Sequence, residues 1–552
     1  MNSDWVNIAA CLPDMAEQQP FKPAIIFPHG RGSDGQIRYS HYTYRQLDTL
    51  SSEIAVGLQA IGIERGTRTV LMVKPSLEFF ALTFAIFKLG AVPVVVDPGL
   101  GLKSLKACLA RAEPEAFIGI PAAHAARVLL GWAKKTLKTH VTVGRRYFWG
   151  GHTLDDVKKL GAAGKRFELA ETQADEIAAI LFTSGSTGPP KGVVYRHGNF
   201  RAQVDMLREM FGIEPGEIDL PTFPLFALFD PALGMTTIVP DMDPTKPAEV
   251  DPRKIIEAIE DFGVTTMFGS PALLNTVSRY GEREGIELPT IKRVISAGAP
   301  VPKPVMKRFH AMIADDACIY PPYGATESLP VAVLSSHEIL GETWSKTESG
   351  SGVCVGYPVK SIEVRIIKIT DEPIESWSEE LCVPTGEVGE VVVKGPQVTD
   401  SYFNDPTNTA LSKIADGDVI RHRMGDLGYL DEQGRLWFCG RKAHRVQTEN
   451  ETLFTVPCEA IFNTHPSVYR TALVGIPSGK SNKPVLCVEL EKTEPPPSQQ
   501  TVGKELQALA QRFGQTQMID SFCFHPGFPV DIRHNTKIGR EALSKWAQEQ
   551  SS

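Results

Sequence analysis

The 552 residues are 42% hydrophobic, enough to bury a large domain and a smaller one, which excludes a disordered chain. Lys and Arg number 57 against 65 Asp and Glu, a net charge of -8 that is mild and evenly spread, which excludes an electrostatic nucleic-acid binder. The nine cysteines form no C-x-x-C pair and lie near no histidine cluster, so they read as reduced core residues of a cytoplasmic protein.

The N-terminal residues, Met1-Asn2-Ser3-Asp4-Trp5, lack the basic region and apolar core of a signal peptide. Thr43-Tyr44-Arg45-Gln46 is a capping-box pattern followed by Leu47, Leu50, Ile54, Leu58 and Ile61 at helical spacing, so a helix is expected there. Strand-like runs at 70–73 and 92–96 flank an apolar helix around 79–89, giving this region βαβ character. That helix is too short to span a bilayer and is closed by Lys88.

The apolar run 177–182 reads as a buried strand and leads directly into Thr183-Ser184-Gly185-Ser186-Thr187-Gly188-Pro189-Pro190-Lys191-Gly192. Glycines let backbone N–H groups turn inward around an anion, Ser and Thr add neutral donors, and Lys191 adds a charge. That chemistry suits a polyphosphate. It is not a Walker A loop, because Gly192 follows Lys191 where that pattern needs Ser or Thr.

After a helix near 199–211, strand-like runs at 264–268, 294–296 and 318–320 each stop at glycine and small residues. Ligands of open parallel sheets sit at the carboxyl ends of strands, so these loops are expected to converge on one site. Residues 352–440 are richer in β-branched side chains and read as antiparallel, with turns at Asp405-Pro406 and Glu432-Gln433-Gly434. Beyond 440 a compact mixed α/β unit is expected, with a helix near 457–463, strands near 471–475 and 485–490, and a terminal helix from about Arg540. Pro495-Pro496-Pro497 inside it reads as a stiff exposed loop.

Three further constellations carry chemistry. In Tyr323-Gly324-Ala325-Thr326-Glu327 an aromatic face can stack on a base, a hydroxyl can hold a phosphate and a carboxylate can hold Mg²⁺; the same residues also suit an ordinary turn. Asp426 after Gly425 can accept both hydroxyls of a ribose, with Arg441 after Gly440 within reach of the ribose or α-phosphate; a turn carboxylate paired with an arginine is the plainer alternative. Lys537, in Asn535-Thr536-Lys537-Ile538-Gly539-Arg540, is either a catalytic cation or a solvated lysine.

In this order and spacing the motifs resemble the adenylate-forming superfamily of acyl-CoA synthetases, peptide-synthetase adenylation domains and luciferases. The resemblance implies an α/β fold: a large N-terminal domain, residues 1–440, of mixed parallel sheets with helices and a β-rich subdomain, and a small mobile α+β C-terminal domain, residues 441–552. It implies ATP and Mg²⁺, with Thr183, Ser184, Gly185, Ser186, Thr187, Gly188 and Lys191 on the β- and γ-phosphates. Ala297, Gly298, Ala299, Pro300, Tyr323 and Gly324 would form the adenine pocket, Thr326 would touch the α-phosphate and Glu327 the metal. Asp426 would anchor the ribose with Arg441 beside it, Lys442 would be the hinge, and Lys537 would stabilise charge building on the α-phosphate and carboxylate oxygens.

Two departures narrow this. Pro224-Leu225-Phe226 continues with Ala227 where acyl-CoA synthetases commonly carry a histidine, and residues 442–449 lack the Asp- and Lys-Gly-containing run used around CoA or a carrier arm. The chain also ends shortly after the terminal helix, so no fused carrier is expected. Residues 220–224, 226–234, 240–245, 422–426 and 529–535 resemble the OleC-type β-lactone synthetases of bacterial long-chain olefin biosynthesis. That resemblance implies ATP-dependent activation of a 2-alkyl-3-hydroxy fatty acid and closure of a lactone by its own hydroxyl, an intramolecular attack that avoids capturing a second substrate. It implies thiolase-like, reductase and β-lactone decarboxylase enzymes as partners. The apolar run 223–233 suits either an alkyl tunnel or ordinary core, and its one polar residue, Asp230, is the candidate base, with His444 and His534 as further candidates. An acyl-CoA or acyl-AMP ligase and a silent nucleotide-binding scaffold are the alternatives; retention of Glu327, Asp426 and Lys537 argues against the scaffold.

Overall fold

A computed structural model describes residues 6–96, 100–164, 167–182, 189–479, 481–530 and 538–551. One sheet runs in the order His152–Thr153, Thr139–Thr142, Ala116–Gly119, Arg68–Met72, Val92–Val96, Ile177–Phe182 and Gly192–Arg196, parallel except for the final pair. A second follows the order Cys318–Tyr320, Arg293–Ile295, Thr266–Phe268, Ile218–Pro221, Thr236–Ile238, Pro23–Arg31 and Ile37–Thr43, again parallel but for its last hairpin. The expected βαβ region and the three glycine-stopped strands therefore belong to two different sheets.

Two helices fill the space between these sheets. Tyr44–Ala60 starts at Thr43 with both bonds of the expected capping box, Thr43 Oγ1 to the Gln46 N–H and Gln46 Oε1 to the Thr43 N–H. Leu77–Lys88 is apolar on every side and buried on every side, as a helix without a polar face must be. One core joins both helices to Ala24 and Ile25 of the second sheet and to Ala116 and Ile118 of the first. Lys88 ends the buried helix with its charge inside: the ammonium reaches Asp48 Oδ1 at 2.6 Å, the Asp48 carbonyl at 2.8 Å and Ser52 Oγ at 2.8 Å. Burial lowers its pKa, and the Asp48 carboxylate offsets part of that.

The third sheet is antiparallel, in the order Tyr323–Ala325, Ser328–Val333, Val353–Pro358, Leu436–Arg441, Val419–Leu430, Gly389–Lys394 and Glu363–Ile367, with Lys413–Asp416 beside Val419–Leu430. The turn expected at Glu432-Gln433-Gly434 joins two of its strands. Asp405-Pro406 is instead a helix start: Asp405 caps Pro406–Ser412 by accepting from the Asn408 N–H, and Pro406 sits in the first turn, where its missing N–H costs nothing. Beyond it, Val468–Ser478, Ser481–Leu490 and Phe522–Phe524 form a small sheet with helices Thr455–Phe462, Gln499–Ala510 and Arg540–Ser551. Its two hydrophobic clusters draw their buried residues only from Val446 onward. Among the described residues no helix is long and apolar enough to cross a membrane.

Helix Tyr44–Ala60 meets helix Leu154–Ala162 at two glycines. A Cβ at Gly57 would lie 2.0 Å from the Val157 carbonyl oxygen, and one at Gly161 would lie 1.8 Å from that of Glu53. Backbone cannot yield as a side-chain tip can, so Gly57→Ala is expected to force the helices apart and cost about 1–3 kcal/mol, read as a lower urea midpoint.

Candidate active site

The carboxyl ends of the second sheet open onto a cavity of about 2230 Å³. Its wall takes Thr222 and Phe223 after the strand Ile218–Pro221, Ser270 after Thr266–Phe268, and Ser296 to Pro300 after Arg293–Ile295. Gly298 within that last loop holds φ +99°, a conformation that favours glycine. The third sheet closes the opposite side with Tyr323, Gly425, Asp426, Phe438 and Arg441.

Asp426 is 3% exposed, and its two carboxylate oxygens have different partners. The Tyr323 hydroxyl donates to Oδ2 at 2.6 Å, and Arg441, its cross-strand register partner, places a guanidinium nitrogen 2.9 Å from Oδ1. Burial pushes the carboxyl above the ordinary range, while the guanidinium and hydroxyl pull it back. The Tyr323 ring lies 6.1 Å from that of Phe438. Gly324 has no room for a side chain, since a Cβ would lie 2.7 Å from the Ser328 carbonyl oxygen.

Glu327 and Thr326 are held by two tyrosines. The Tyr402 hydroxyl donates to Glu327 Oε1 at 2.7 Å, and the Tyr195 hydroxyl donates to the Thr326 carbonyl at 2.5 Å. The ammonium groups of Lys191 and Lys413 lie 5.1 Å and 5.8 Å from the centre of the Tyr402 ring. Burial pulls Lys413 down to about 7. His422, also buried on the cavity wall, is held below its usual range by burial, with Nδ1 3.2 Å from the Ser412 carbonyl. Among the described residues no cluster of three or more His, Cys, Asp or Glu could hold a metal. Glu327 could still share Mg²⁺ with phosphate oxygens and water, because that ion keeps several waters and needs only one or two carboxylates.

The run 223–229 lines the cavity, with Asp230 and Leu233. Asp230 Oδ2 accepts from the Thr237 hydroxyl at 2.7 Å, and the other partner of its carboxyl is Asp219. Both carboxyls are buried and both are pushed up, by desolvation first and, at Asp219, by the neighbouring charge, so the pair retains a proton into the neutral range. Among the described residues, Oδ1 of Asp219 is buried without a hydrogen-bond partner. His444 lines the same cavity at the small-unit side; burial pulls it down to about 4, and its Nε2 lies 3.7 Å from Glu541. Thr183, Ser184, Gly185, Ser186, Thr187, Gly188, His534 and Lys537 lie outside the described residues.

The strand-end loop Ser296 to Pro300, a buried carboxylate flanked by tyrosine and arginine, and a carboxylate held by a second tyrosine thus face one space. Residues 12–403 match the family described as AMP-binding enzyme. The chain belongs to the AMP-binding enzyme family. It is 52% identical over 550 residues to the olefin beta-lactone synthetase of Stenotrophomonas maltophilia (strain K279a), covering 98% of each chain. It is equally identical over 550 residues to that of Xanthomonas campestris pv. campestris, covering 99% of this chain and 98% of the relative. The solved anthranilate CoA ligase AuaEII with anthranoyl-AMP shares the fold at a TM-score of 0.78 and 17% identity, covering 99% of this chain and 98% of that one.

Several residues of this AMP-binding enzyme site escape sequence reasoning. Tyr195, Tyr402 and Lys413 stand in no motif and reach the site only through pairing of distant strands and loops. Asp219 does leave a signal, a carboxylate inside the apolar run Ile218-Asp219-Leu220. Lys442 bonds the Thr370 carbonyl at 2.8 Å and Glu390, which also pairs at 2.7 Å with Arg423; both Glu390 and the Arg423 side chain are 1% exposed. Arg423→Leu is expected to cost about 3–5 kcal/mol by leaving Glu390 a single cation, measured as a lower urea midpoint.

Proposed function

We propose that this chain is an ATP-dependent β-lactone synthetase acting on a long-chain 2-alkyl-3-hydroxyalkanoic acid in the cytoplasm. The observation that carries the reading is the 52% identity, over nearly the whole of both chains, to two olefin beta-lactone synthetases. The acid's carboxylate attacks the α-phosphorus of ATP, pyrophosphate leaves, and an acyl-AMP forms. The substrate's own hydroxyl oxygen then attacks the acyl carbon, the bond to phosphate breaks, AMP leaves with the electron pair, and the hydroxyl proton passes to a base.

The roles proposed for the residues follow their chemistry. Lys191 and the loop Thr183 to Gly188 hold the β- and γ-phosphates; Gly298, Ala299, Pro300, Tyr323 and Gly324 receive the adenine; Thr326 contacts the α-phosphate. Asp426 accepts from the ribose hydroxyls, and Arg441 offsets part of the burial that raises its carboxyl. Glu327 would hold Mg²⁺, which supplies charge neutralisation of the departing pyrophosphate. Lys537 stabilises the charge of the adenylation transition state, brought in by a C-terminal unit, residues 441–552, that turns about Lys442 on the N-terminal residues 1–440. Thiolase-like, reductase and β-lactone decarboxylase enzymes are the proposed pathway partners.

Asp230 is proposed as the acceptor of the hydroxyl proton, with Asp219 as the group that sets its charge. Support comes from their shared place on the cavity wall, beside the apolar run that would hold the alkyl chains, and from the absence of any other carboxylate in residues 223–233. An apolar surround also keeps water from the acyl-AMP.

Purified protein with ATP, Mg²⁺ and a synthetic 2-alkyl-3-hydroxy acid is expected to yield a β-lactone without CoA, seen by NMR or mass spectrometry; a thioester formed only when CoA is added would replace this reading with a ligase. Lys537→Ala is expected to slow pyrophosphate release by about 10²- to 10³-fold while still binding ATP. Asp230→Asn should keep pyrophosphate release and accumulate acyl-AMP. In the unchanged protein, lactone formation should rise with pH through the neutral range as the raised carboxyl pair loses its proton, since only the ionised form accepts. A flat profile, or lactone from Asp230→Asn at the normal rate, would remove Asp230 from this role.

A further inference from the structure

Charge is less evenly placed than the whole-chain balance suggests. Residues 116–154 carry Arg127, Lys134, Lys135, Lys138, Arg145 and Arg146 and not one Asp or Glu, in a chain of net charge -8. All but Arg127 are exposed. The same stretch displays large apolar side chains to solvent: Leu129 is 81% exposed and Phe148 77%, with Tyr147 and Val128 also exposed. Surface apolar groups scattered singly need no explanation, but a cluster rimmed by one sign of charge does.

The local structure shows why these side chains point outward together. Helix Pro121–Leu130 buries His124 and Arg127 against the edge of the first sheet, which turns Val128 and Leu129 to solvent. The Trp149 ring stacks on His124 at 5.5 Å and donates from Nε1 to Thr142 Oγ1 at 3.0 Å, which pins the loop after Thr139–Thr142 to that helix. Tyr147 and Phe148 each pack a ring 5.3 Å from the half-buried Trp149, which sets their outward position. The Arg145 guanidinium lies 5.3 Å over the Tyr147 ring, an arrangement that keeps an aromatic and a cation side by side at a surface. Of the neighbouring acids, Glu115 is shared between Lys138 and Arg68, and Asp156 is engaged in the capping box of the next helix. Among the described residues, Lys134, Lys135 and Arg145 make no ion pair.

This face adjoins the cavity. Helix Pro121–Leu130 sends Ala123 into the cavity wall, and Leu102, Leu105, Ile120 and Trp132 line the same part of it. Leu102 is 59% exposed, with Lys103 and Lys106 exposed beside it. An apolar space for the site's ligand therefore comes to the surface next to aromatic, leucine and lysine side chains.

We propose that this face, built on Val128, Leu129, Tyr147, Phe148, Arg145 and Arg146, docks reversibly on an anionic lipid bilayer. Aromatic and leucine side chains enter the interfacial layer while the cations meet anionic headgroups, the two attractions that peripheral attachment combines. Charge complementarity decides for this occupant: the exposed Lys134, Lys135, Arg145 and Arg146 suit a continuous anionic surface, whereas protein–protein contact cores are depleted of lysine. A ligand that partitions into lipid would then meet the apolar mouth at Leu102 without crossing water.

The test is co-sedimentation of the full-length protein with vesicles of phosphatidylcholine alone or mixed with phosphatidylglycerol, at low salt and at 0.5 M salt. The unchanged protein should sediment with the anionic vesicles only and be released by salt, because surface charges are screened within a few ångströms at high ionic strength. Arg145→Glu with Arg146→Glu should weaken binding by at least about tenfold, given about fivefold for each cation near an anionic surface. Leu129→Ser with Phe148→Ser should weaken it independently, and neither pair touches the groups assigned to adenylation. Equal binding by both double variants would overturn the proposal, as would absence of binding to anionic vesicles by the unchanged protein. An oligomer that dissociates in Leu129→Ser with Phe148→Ser, without vesicle binding, would overturn it in favour of a self-association face.

Discussion

The Asp426 carboxylate constrains much of the rest. Taking an ion out of water costs several kcal/mol unless matched partners reach it, and the two that do come from separate strands. Tyr323 stands on the edge strand that follows the second sheet, and Arg441 ends the strand that leads into the small C-terminal unit. For all three to meet, the antiparallel sheet must hold Val419–Leu430 and Leu436–Arg441 in one register, and the strand end near Pro322 must deliver Tyr323 to the same spot. A one-residue slip would turn Arg441 to the other face and leave the carboxylate buried with only a hydroxyl. Structural need and site geometry thus coincide at one residue. Gly440 tightens the same point: with φ +124° and Thr455 Oγ1 2.5 Å from where a Cβ would stand, it lets the chain leave the sheet without a side chain in the way.

Much of the fold was legible because it rests on local signals. Thr43 and Gln46 make the capping box their spacing predicts, and the apolar run 79–87, with Thr83 its one polar residue, is a helix buried on all sides. Glycine-stopped strands marked the carboxyl edge of a parallel sheet, and their loops do line one cavity. Asp405-Pro406 shows how local chemistry misleads: Asp followed by Pro serves a turn and a helix N-terminus equally well, and only the following residues' hydrogen bonds choose between them. What the sequence could not disclose lies in contacts between residues far apart. Tyr402 is 75 residues from Glu327, and Tyr195 is 131 residues from Thr326, so no pattern within a window could have paired them. The whole-chain charge balance hid the acid-free stretch 116–154 for a related reason, since a sum carries no position.

The two carboxylate sites solve opposite problems with the same side chain. At Asp426 a guanidinium and a phenol favour the ionised form and offset part of what burial does. At Asp230 the nearest ionisable neighbour is another carboxyl, and burial with a like charge favours a shared proton. Environment alone separates an acceptor that holds from one that can exchange protons near neutrality.

Intramolecular closure explains why such a site could dispense with the Asp- and Lys-Gly-containing run after Gly440. A ligase must admit a second substrate, and a channel for a large polar acceptor is also a channel for water. When the nucleophile arrives on the acyl group, the translational and rotational cost is already met, and the cavity can stay apolar around the anhydride. The residues at 227 and 230 fit that difference: Ala227 is buried without a polar group where many relatives of the superfamily carry histidine, and three positions on a carboxyl pair stands on the same wall. An alanine there adds no titratable group to that wall, so the proposed transfer of the hydroxyl proton rests on the Asp230–Asp219 pair.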